Sequence, residues 1–147
     1  MNYVAWLALS AYLAAYLPMF ILITRIAVHD WRLPIVVAAP VVWAGLELAR
    51  AHLLTGFAMA MLGHTQYEWI ALIQMSDLGG AYAVSFVVML VAACLARMLP
   101  LEASRATLWP ALPAVLTLGS ALLYGHIRMR GAEALPGPRV ALIQESI

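Results

Sequence analysis

The chain of 147 residues contains no lysine, and all eight of its basic residues are arginines. Without lysine, the chain cannot supply an amine base or form a Schiff base. Cysteine occurs once, as Cys94 within an apolar run, which excludes an internal disulfide and the paired-cysteine spacing of a metal site. The four histidines are scattered and lack an HExxH arrangement, so the sequence predicts neither a metal nor any other cofactor.

Charged residues are also scarce, at 10% of the chain, whereas hydrophobic residues make up 65%. A soluble domain of this size cannot bury so much apolar surface, because a small globule leaves a large fraction of its chain exposed. The sequence therefore predicts an integral membrane protein. The formal net charge is +1 and no basic run occurs, so nothing in the sequence indicates a nucleic-acid partner.

Four apolar runs reach the length of about 20 residues that a helix needs to cross a bilayer. They cover residues 3–28, 34–54, 78–98 and 108–127. Pro18 predicts a kink in the first run. Asp77 is placed to cap the third helix by accepting a hydrogen bond from an early backbone N–H. A small-residue face for close helix contact is predicted at Gly79, Gly80, Ala81 and Ala83.

Residues 55–76, between the second and third runs, are apolar but broken by Gly56 and Gly63. Each piece is too short to span the membrane and too apolar for a solvated loop, which favours an interfacial or re-entrant segment. Residues 131–138 have the composition of a linker, and residues 139–144 have the pattern of a buried strand without partners. We therefore predict an all-α integral membrane fold with about four transmembrane helices in residues 1–130 and a short C-terminal β-strand remnant.

An even number of spans places both chain ends and the 55–76 segment on one side of the membrane. The arginines on that side are Arg50, Arg128, Arg130 and Arg139, and those on the other are Arg25, Arg32, Arg97 and Arg105. If Glu47 pairs with Arg50, and Arg139 belongs to a further domain, only Arg128 and Arg130 count on the side of the chain ends. The other side then has the larger number, four arginines. The positive-inside rule then places the C-terminus outside the cytoplasm.

Two opposite charges stand near the end of the second run. An isolated charge in a membrane segment costs roughly 2.5–3.5 kcal/mol on insertion scales. Glu47 and Arg50 are three residues apart and share a helical face with Trp43, so we expect an ion pair that offsets part of this cost. The alternative is that the helix leaves the membrane nearby, so that Arg50 reaches the headgroups and Trp43 packs on lipid.

A series of motifs runs along the chain. Trp43-x-x-x-Glu47-x-x-Arg50 is followed by Leu54-Thr55-Gly56-Phe57, by Leu62-Gly63-His64-Thr65-Gln66 and by Gly79-Gly80-Ala81-Tyr82-Ala83-Val84-Ser85-Phe86. This series resembles the membrane part of bacterial apolipoprotein N-acyltransferases. Residues 139–144 are similar to the strand that opens the nitrilase-like domain of that family. The chain departs from the family at Ala58-Met59, where Pro-Trp is usual, and at Glu145-Ser146, where Gly-Asn or Gly-Asp is usual.

The resemblance implies an enzyme of the bacterial cytoplasmic (inner) membrane with a Glu–Lys–Cys site in its nitrilase-like domain. That site takes an acyl chain from a phospholipid as a cysteine thioester and passes it to the N-terminal diacylglyceryl-cysteine of an apolipoprotein. No catalytic residue can be assigned here, because the chain has no lysine and its cysteine lies within a span. We expect a middle fragment or truncated relative, inactive alone, with residues 139–147 as the start of the nitrilase-like domain.

The resemblance also implies a passive role, in which residues 56–66 hold lipid acyl chains beside a catalytic domain. Trp43, Glu47 and Arg50 are expected to brace the helix end, while Phe57 contacts the acyl chains. The full set of candidate lipid-binding or supporting residues is Trp43, Glu47, Arg50, Thr55, Gly56, Phe57, Gly63, Gln66 and Gln74. The two glycines permit turns, and the two glutamines either bind headgroups or are simply solvated.

Two other functions remain open at this point. The first is a non-catalytic scaffold that docks a separately encoded enzyme or binds lipid. The second is a small transporter or channel subunit, which would depend on Glu47 and Arg50 as its intramembrane polar residues.

Overall fold

The computed structural model describes residues 3–53, 56–99 and 108–131. The predicted strand at 139–144 and nearly all of the predicted linker lie outside these ranges. Within them, all regular elements are helical, as predicted. The elements are α1 (Tyr3–Ala14), α2 (Tyr16–His29), α3 (Ile35–His52), a 3₁₀ helix (Leu62–Gln66), α4 (Ile70–Ile73), α5 (Ser76–Met98) and α6 (Ala111–Gly131).

Three segments of the described residues are long and apolar enough to cross a membrane, namely Tyr3–His29, Ile35–His52 and Ser76–Met98. They match the first three predicted spans to within a few residues. The fourth predicted span forms α6, but this helix is not among the three, and its last turns carry His126, Arg128 and Arg130. The described part of the chain therefore has three candidate spans where the sequence predicted four.

Two prolines determine where helices break or begin. The first span is interrupted at Ala15, between α1 and α2. Pro18 has no N–H to bond to the carbonyl of Ala14, which explains the interruption at this point. Pro34 stands immediately before α3 in an extended conformation, with φ −60° and ψ 136°. Its fixed φ suits the entry to a helix.

Helix α5 lies at the centre of the bundle and contributes to two core clusters. In one cluster, Val84 and Val87 pack with Leu72 of α4 and Ala121 of α6. In the other, Cys94 packs with Val36 of α3 and Ala114 of α6. By contrast, α1 has no buried residue. Both clusters are thus formed by α3 to α6, while the first span adds the buried Ala27 of α2 and nothing from α1.

The start of α5 corrects two predictions. Asp77 does not cap the helix, because its Oδ2 accepts hydrogen bonds from Arg128 Nε at 2.9 Å and Nη2 at 2.7 Å. This ion pair joins the first turn of α5 to the last turns of α6, so the two helices run antiparallel. The prediction that Gly79 and Gly80 form a face for close helix contact is also wrong. Both residues are exposed, and their non-helical backbone angles kink the helix.

Candidate functional site

Glu47 connects α3 to the broken segment that follows it. The residue is only 3% exposed. Its Oε1 accepts hydrogen bonds from Trp43 Nε1 at 2.9 Å and from the backbone N–H of Leu62 at 2.6 Å. The Trp43 ring packs edge-to-face on Phe20 of α2, with 5.1 Å between ring centres. A single carboxylate oxygen thus joins α3 to a residue fifteen positions further along the chain, and the ring of Trp43 joins α3 to α2.

Ser85 makes the equivalent connection from α5. It is fully buried, and its Oγ accepts a hydrogen bond from the backbone N–H of Gly63 at 2.7 Å. Leu62 and Gly63 begin the 3₁₀ helix, and the first N–H groups of a helix have no acceptor within it. Side chains from α3 and α5 therefore satisfy two consecutive donors of the segment.

Arg50 supplies a third connection. Its Nη2 donates a hydrogen bond to the backbone oxygen of Ala60 at 2.9 Å, and the guanidinium lies 5.7 Å from the centre of the Tyr16 ring, within the range of a cation–π contact. Ala60 has a φ of +56°, a left-handed conformation that costs an alanine roughly 1–2 kcal/mol. The bond from Arg50 fixes the carbonyl of this strained residue.

The expected ion pair between Glu47 and Arg50 is wrong. Both residues are described, and they form no ion pair with one another. The spacing of three residues brings the two side chains to one face of the helix, but each then binds a different backbone group of the segment. We refer to Glu47, Arg50 and Ser85 as the clamp, because together they hold residues 60–63.

Two glycines allow the segment to fold back onto the helices. Gly56 has a φ of +79°, and a Cβ there would stand 2.6 Å from the carbonyl oxygen of Ala51. The next residue, Phe57, donates its N–H to the carbonyl of Arg50 at 3.0 Å. At Gly63 a Cβ would stand 2.6 Å from the carbonyl oxygen of Ala81. The segment therefore lies directly against α3 at one glycine and α5 at the other.

The remaining candidate residues lie apart from the clamp or outside the described ranges. Phe57 is half-buried, and Thr55 is not among the described residues. The amide of Gln66 bonds to Thr65 Oγ1 at 2.8 Å. The amide of Gln74 bonds to the carbonyl of Ile70 at 3.2 Å, within its own turn of helix. The structure thus joins Glu47 and Arg50 to the segment directly, and Trp43 only through Glu47, but leaves both glutamines in local contacts.

The side chains at this site bind backbone groups of the segment. No group of three or more His, Cys, Asp or Glu side chains in these ranges is arranged to hold a metal ion. The thiol of Cys94 is fully buried in an apolar cluster, with no access to a substrate.

The matches to known proteins all identify the same family. Residues 1–94 match the family model for the apolipoprotein N-acyltransferase N-terminal domain. An apolipoprotein N-acyltransferase of Rhodopirellula baltica is 43% identical over 99 residues, which are 60% of this chain and 17% of the relative. One of Geobacter metallireducens is 36% identical over 143 residues, which are 95% of this chain and 27% of the relative. The chain thus spans less than a third of either relative, and no solved structure matches it.

Proposed function

The chain belongs to the apolipoprotein N-acyltransferase family, and on this premise we propose that it forms the membrane-embedded part of such an enzyme. In this proposal an acyl chain passes from a phospholipid to the N-terminal diacylglyceryl-cysteine of a lipoprotein, at the outer face of the bacterial cytoplasmic membrane. The thiolate, the base and the cation that stabilises the oxyanion belong to a nitrilase-like domain. A cysteine thioester divides the transfer into two easier steps.

The observation that best supports this role is the clamp. The acceptors come from two different helices, so the segment is fixed against both α3 and α5. Here Glu47 and Ser85 bind consecutive N–H groups, and Arg50 binds the carbonyl of Ala60. A segment held in this way keeps one shape, and fixed orientation of a substrate beside a reacting group is a large source of rate enhancement. We infer that residues 56–66 hold the lipid in place for the catalytic domain.

We also propose that α6 is a fourth span. It runs antiparallel to α5 from Ala114, which packs beside Cys94, to Arg128, which binds Asp77. Contacts along this length place α6 next to a helix that is itself long and apolar enough to cross the membrane. The segment 56–66, the start of α5 and the end of α6 then share one side of the bilayer, where a catalytic domain following α6 would also lie.

The channel alternative loses its main support. Glu47 and Arg50 were the intramembrane polar residues on which it depended, and both are bound to backbone groups of the segment. The scaffold alternative differs from our proposal only in whether transfer occurs. It predicts membrane insertion and partner binding without any contribution to acylation.

A chimera tests the proposal directly. This chain replaces the matching stretch of the Geobacter metallireducens relative, and N-acylation of a lipoprotein reporter is measured by mass spectrometry in cells depleted of their own enzyme. We expect the chimera to acylate the reporter and the same chimera carrying Glu47→Leu and Ser85→Ala to lose most of that activity. A chimera that inserts into the membrane but leaves the reporter unmodified would support the scaffold instead.

A further inference from the structure

Basic side chains gather at the end of the bundle where α2 ends and α3 begins, which is the end away from the clamp. Arg25 and His29 lie in the last two turns of α2, and Arg32 lies in the connection to α3. All three are exposed. They belong to neither the clamp nor the segment that it holds.

Helix α5 brings a further arginine to this end. Cys94 packs against Val36, which lies in the first turn of α3, and Arg97 follows Cys94 by one turn of α5. Arg97 is exposed as well. The acid at this end of the described part of the chain is Asp30, so three arginines stand with one carboxylate. The end is therefore positively charged.

A cavity of about 390 Å³ lies on the outward face of α2 at this end. The volume falls within the range of about 300–1,000 Å³ that is typical of sites for small ligands. The lining residues are all exposed, so the cavity opens towards the surroundings of the bundle and not into its core. They are Leu22, Arg25, Ile26, His29 and Asp30.

The order of these residues along α2 matches the order of groups in a phospholipid. The candidate span Tyr3–His29 ends at His29, and Leu22 lies seven residues, or about 10 Å, further into the span. The apolar side chains of Leu22 and Ile26 thus stand on the membrane side of the His29 ring. A lipid has its acyl chains on the same side of its phosphate, whereas a free phosphate would leave this apolar wall without a partner.

The two basic residues of the cavity are not neutralised by the acid beside them. Among the described residues, the ion pair that forms is the one between Arg128 and Asp77, so Asp30 does not stand within 4 Å of the charged nitrogens of Arg25 or His29. A guanidinium binds a phosphate through charge-assisted hydrogen bonds that are about twice as strong as neutral ones. Arg25 is the side chain of the cavity best suited to hold such a group.

The cavity and the clamp face opposite membrane surfaces. Glu47 and Arg50 lie in the last turns of α3, whereas the cavity lies beside its first residue, so about 27 Å of helix separates them. A lipid at this cavity is therefore in the other leaflet from the one that the segment 56–66 faces. Basic pockets on the cytoplasmic side of membrane proteins are typical binding sites for anionic headgroups.

We propose that the cavity on α2 binds an anionic phospholipid of the leaflet opposite to the clamp. The phosphate lies on Arg25 and His29, and an acyl chain runs along Leu22 and Ile26. This lipid is a structural ligand that holds the end of α2 at the membrane surface. It is not a substrate, no bond is made or broken, and the inference does not depend on the proposed function.

The test measures lipid binding to the chain in detergent by native mass spectrometry, in which the mass of each adduct identifies the ligand. The chain is titrated with dioleoylphosphatidylglycerol, with dioleoylphosphatidylcholine, which has the same acyl chains but no net charge, and with inorganic phosphate. We expect the anionic lipid to bind about tenfold more tightly than the zwitterionic one, equivalent to 1.4 kcal/mol. Inorganic phosphate alone is expected to give no adduct.

Arg25→Gln removes the charge that holds the phosphate and is expected to lower the affinity for phosphatidylglycerol about tenfold. Arg130→Gln is the matched control, because Arg130 is also an exposed arginine in the last turn of a helix but lies at the opposite end of the bundle. It is expected to leave the affinity unchanged. Circular dichroism shows whether each variant is folded.

Asp30→Asn provides a second variant if Arg25→Gln fails to fold. It removes the acid beside the phosphate, so the affinity for phosphatidylglycerol is expected to rise several-fold. Equal affinities for the two lipids, or a folded Arg25→Gln that binds phosphatidylglycerol as the unaltered chain does, would overturn the proposal. An unchanged or lower affinity of Asp30→Asn, or displacement of the lipid by inorganic phosphate, would also overturn it.

Discussion

Glu47 and Ser85, on two different helices, accept hydrogen bonds from the consecutive backbone N–H groups of Leu62 and Gly63, at 2.6 and 2.7 Å. Both acceptors are buried. A buried donor that loses its acceptor costs about 1–3 kcal/mol, so the segment cannot leave either helix without a penalty. The segment is for this reason a fixed part of the bundle.

Replacing Glu47 separates its role as an acceptor from its charge. Trp43 Nε1 and Leu62 N–H both bind Oε1, and the side-chain oxygen of a glutamine can accept the same two bonds. We expect Glu47→Gln to retain the stability of the chain in detergent, while Glu47→Leu lowers it by about 1–3 kcal/mol. Thermal unfolding followed by circular dichroism measures both. If both variants lowered the stability by the same amount, the charge of Glu47 and not its role as an acceptor would be what stabilises the chain.

Ser85→Ala removes the acceptor of Gly63 N–H from the core. The expected loss of stability is about 1–3 kcal/mol, because the donor stays buried. Ser120→Ala is the matched control, since Ser120 is exposed and its hydroxyl bonds only to the carbonyl of Thr117 in its own helix. Unfolding in denaturant compares the two variants. If Ser85→Ala and Ser120→Ala have the same free energy of unfolding, the bond to Gly63 does not contribute to stability.

Gly63→Ala tests the close approach of the 3₁₀ helix to α5. The added methyl group would meet the backbone oxygen of Ala81 at 2.6 Å, and overpacking of this kind costs about 1–3 kcal/mol. Gly119→Ala in α6 meets no atom within 4 Å, and we expect it to stabilise the helix by roughly 0.5–1 kcal/mol. The two variants should therefore shift the melting temperature in opposite directions. A neutral Gly63→Ala would mean that the segment can move away from α5.

Ala60→Gly relieves backbone strain. Alanine at a φ of +56° is unfavourable by roughly 1–2 kcal/mol, and glycine adopts this conformation freely. We expect the variant to melt at a higher temperature than the unaltered chain. Ala58→Gly, two residues earlier and without a positive φ, is expected to have no stabilising effect. A lower melting temperature for Ala60→Gly would contradict the left-handed conformation.

The helices were predictable from the sequence because length and apolar character alone decide whether a segment can cross a membrane. Glu47 was identifiable for a related reason, since an acidic residue in such a segment is costly unless something binds it. The fourth predicted span forms a helix, α6, that is not among the candidate spans. The arginines and the histidine at its end shorten its apolar stretch. The predicted strand at 139–144 stays a prediction.

The partners of these residues were not predictable. Ser85 sits in an apolar run like any small helix residue, and its importance appears only when Gly63, 22 positions earlier, is seen against it. Sequence spacing suggested that Glu47 and Arg50 bind each other, but tertiary contacts gave each a backbone partner. The left-handed Ala60 carries no signal at all, since alanine has no preference for that conformation.

The central claim is that buried side chains hold the segment, and amide hydrogen exchange at Leu62 and Gly63 tests it most directly. In the chain embedded in nanodiscs, we predict that both amides are protected. Glu47→Leu should speed exchange at Leu62, and Ser85→Ala at Gly63, by about tenfold or more, whereas Glu47→Gln leaves Leu62 protected. Rapid exchange of both amides in the unaltered chain would contradict the account.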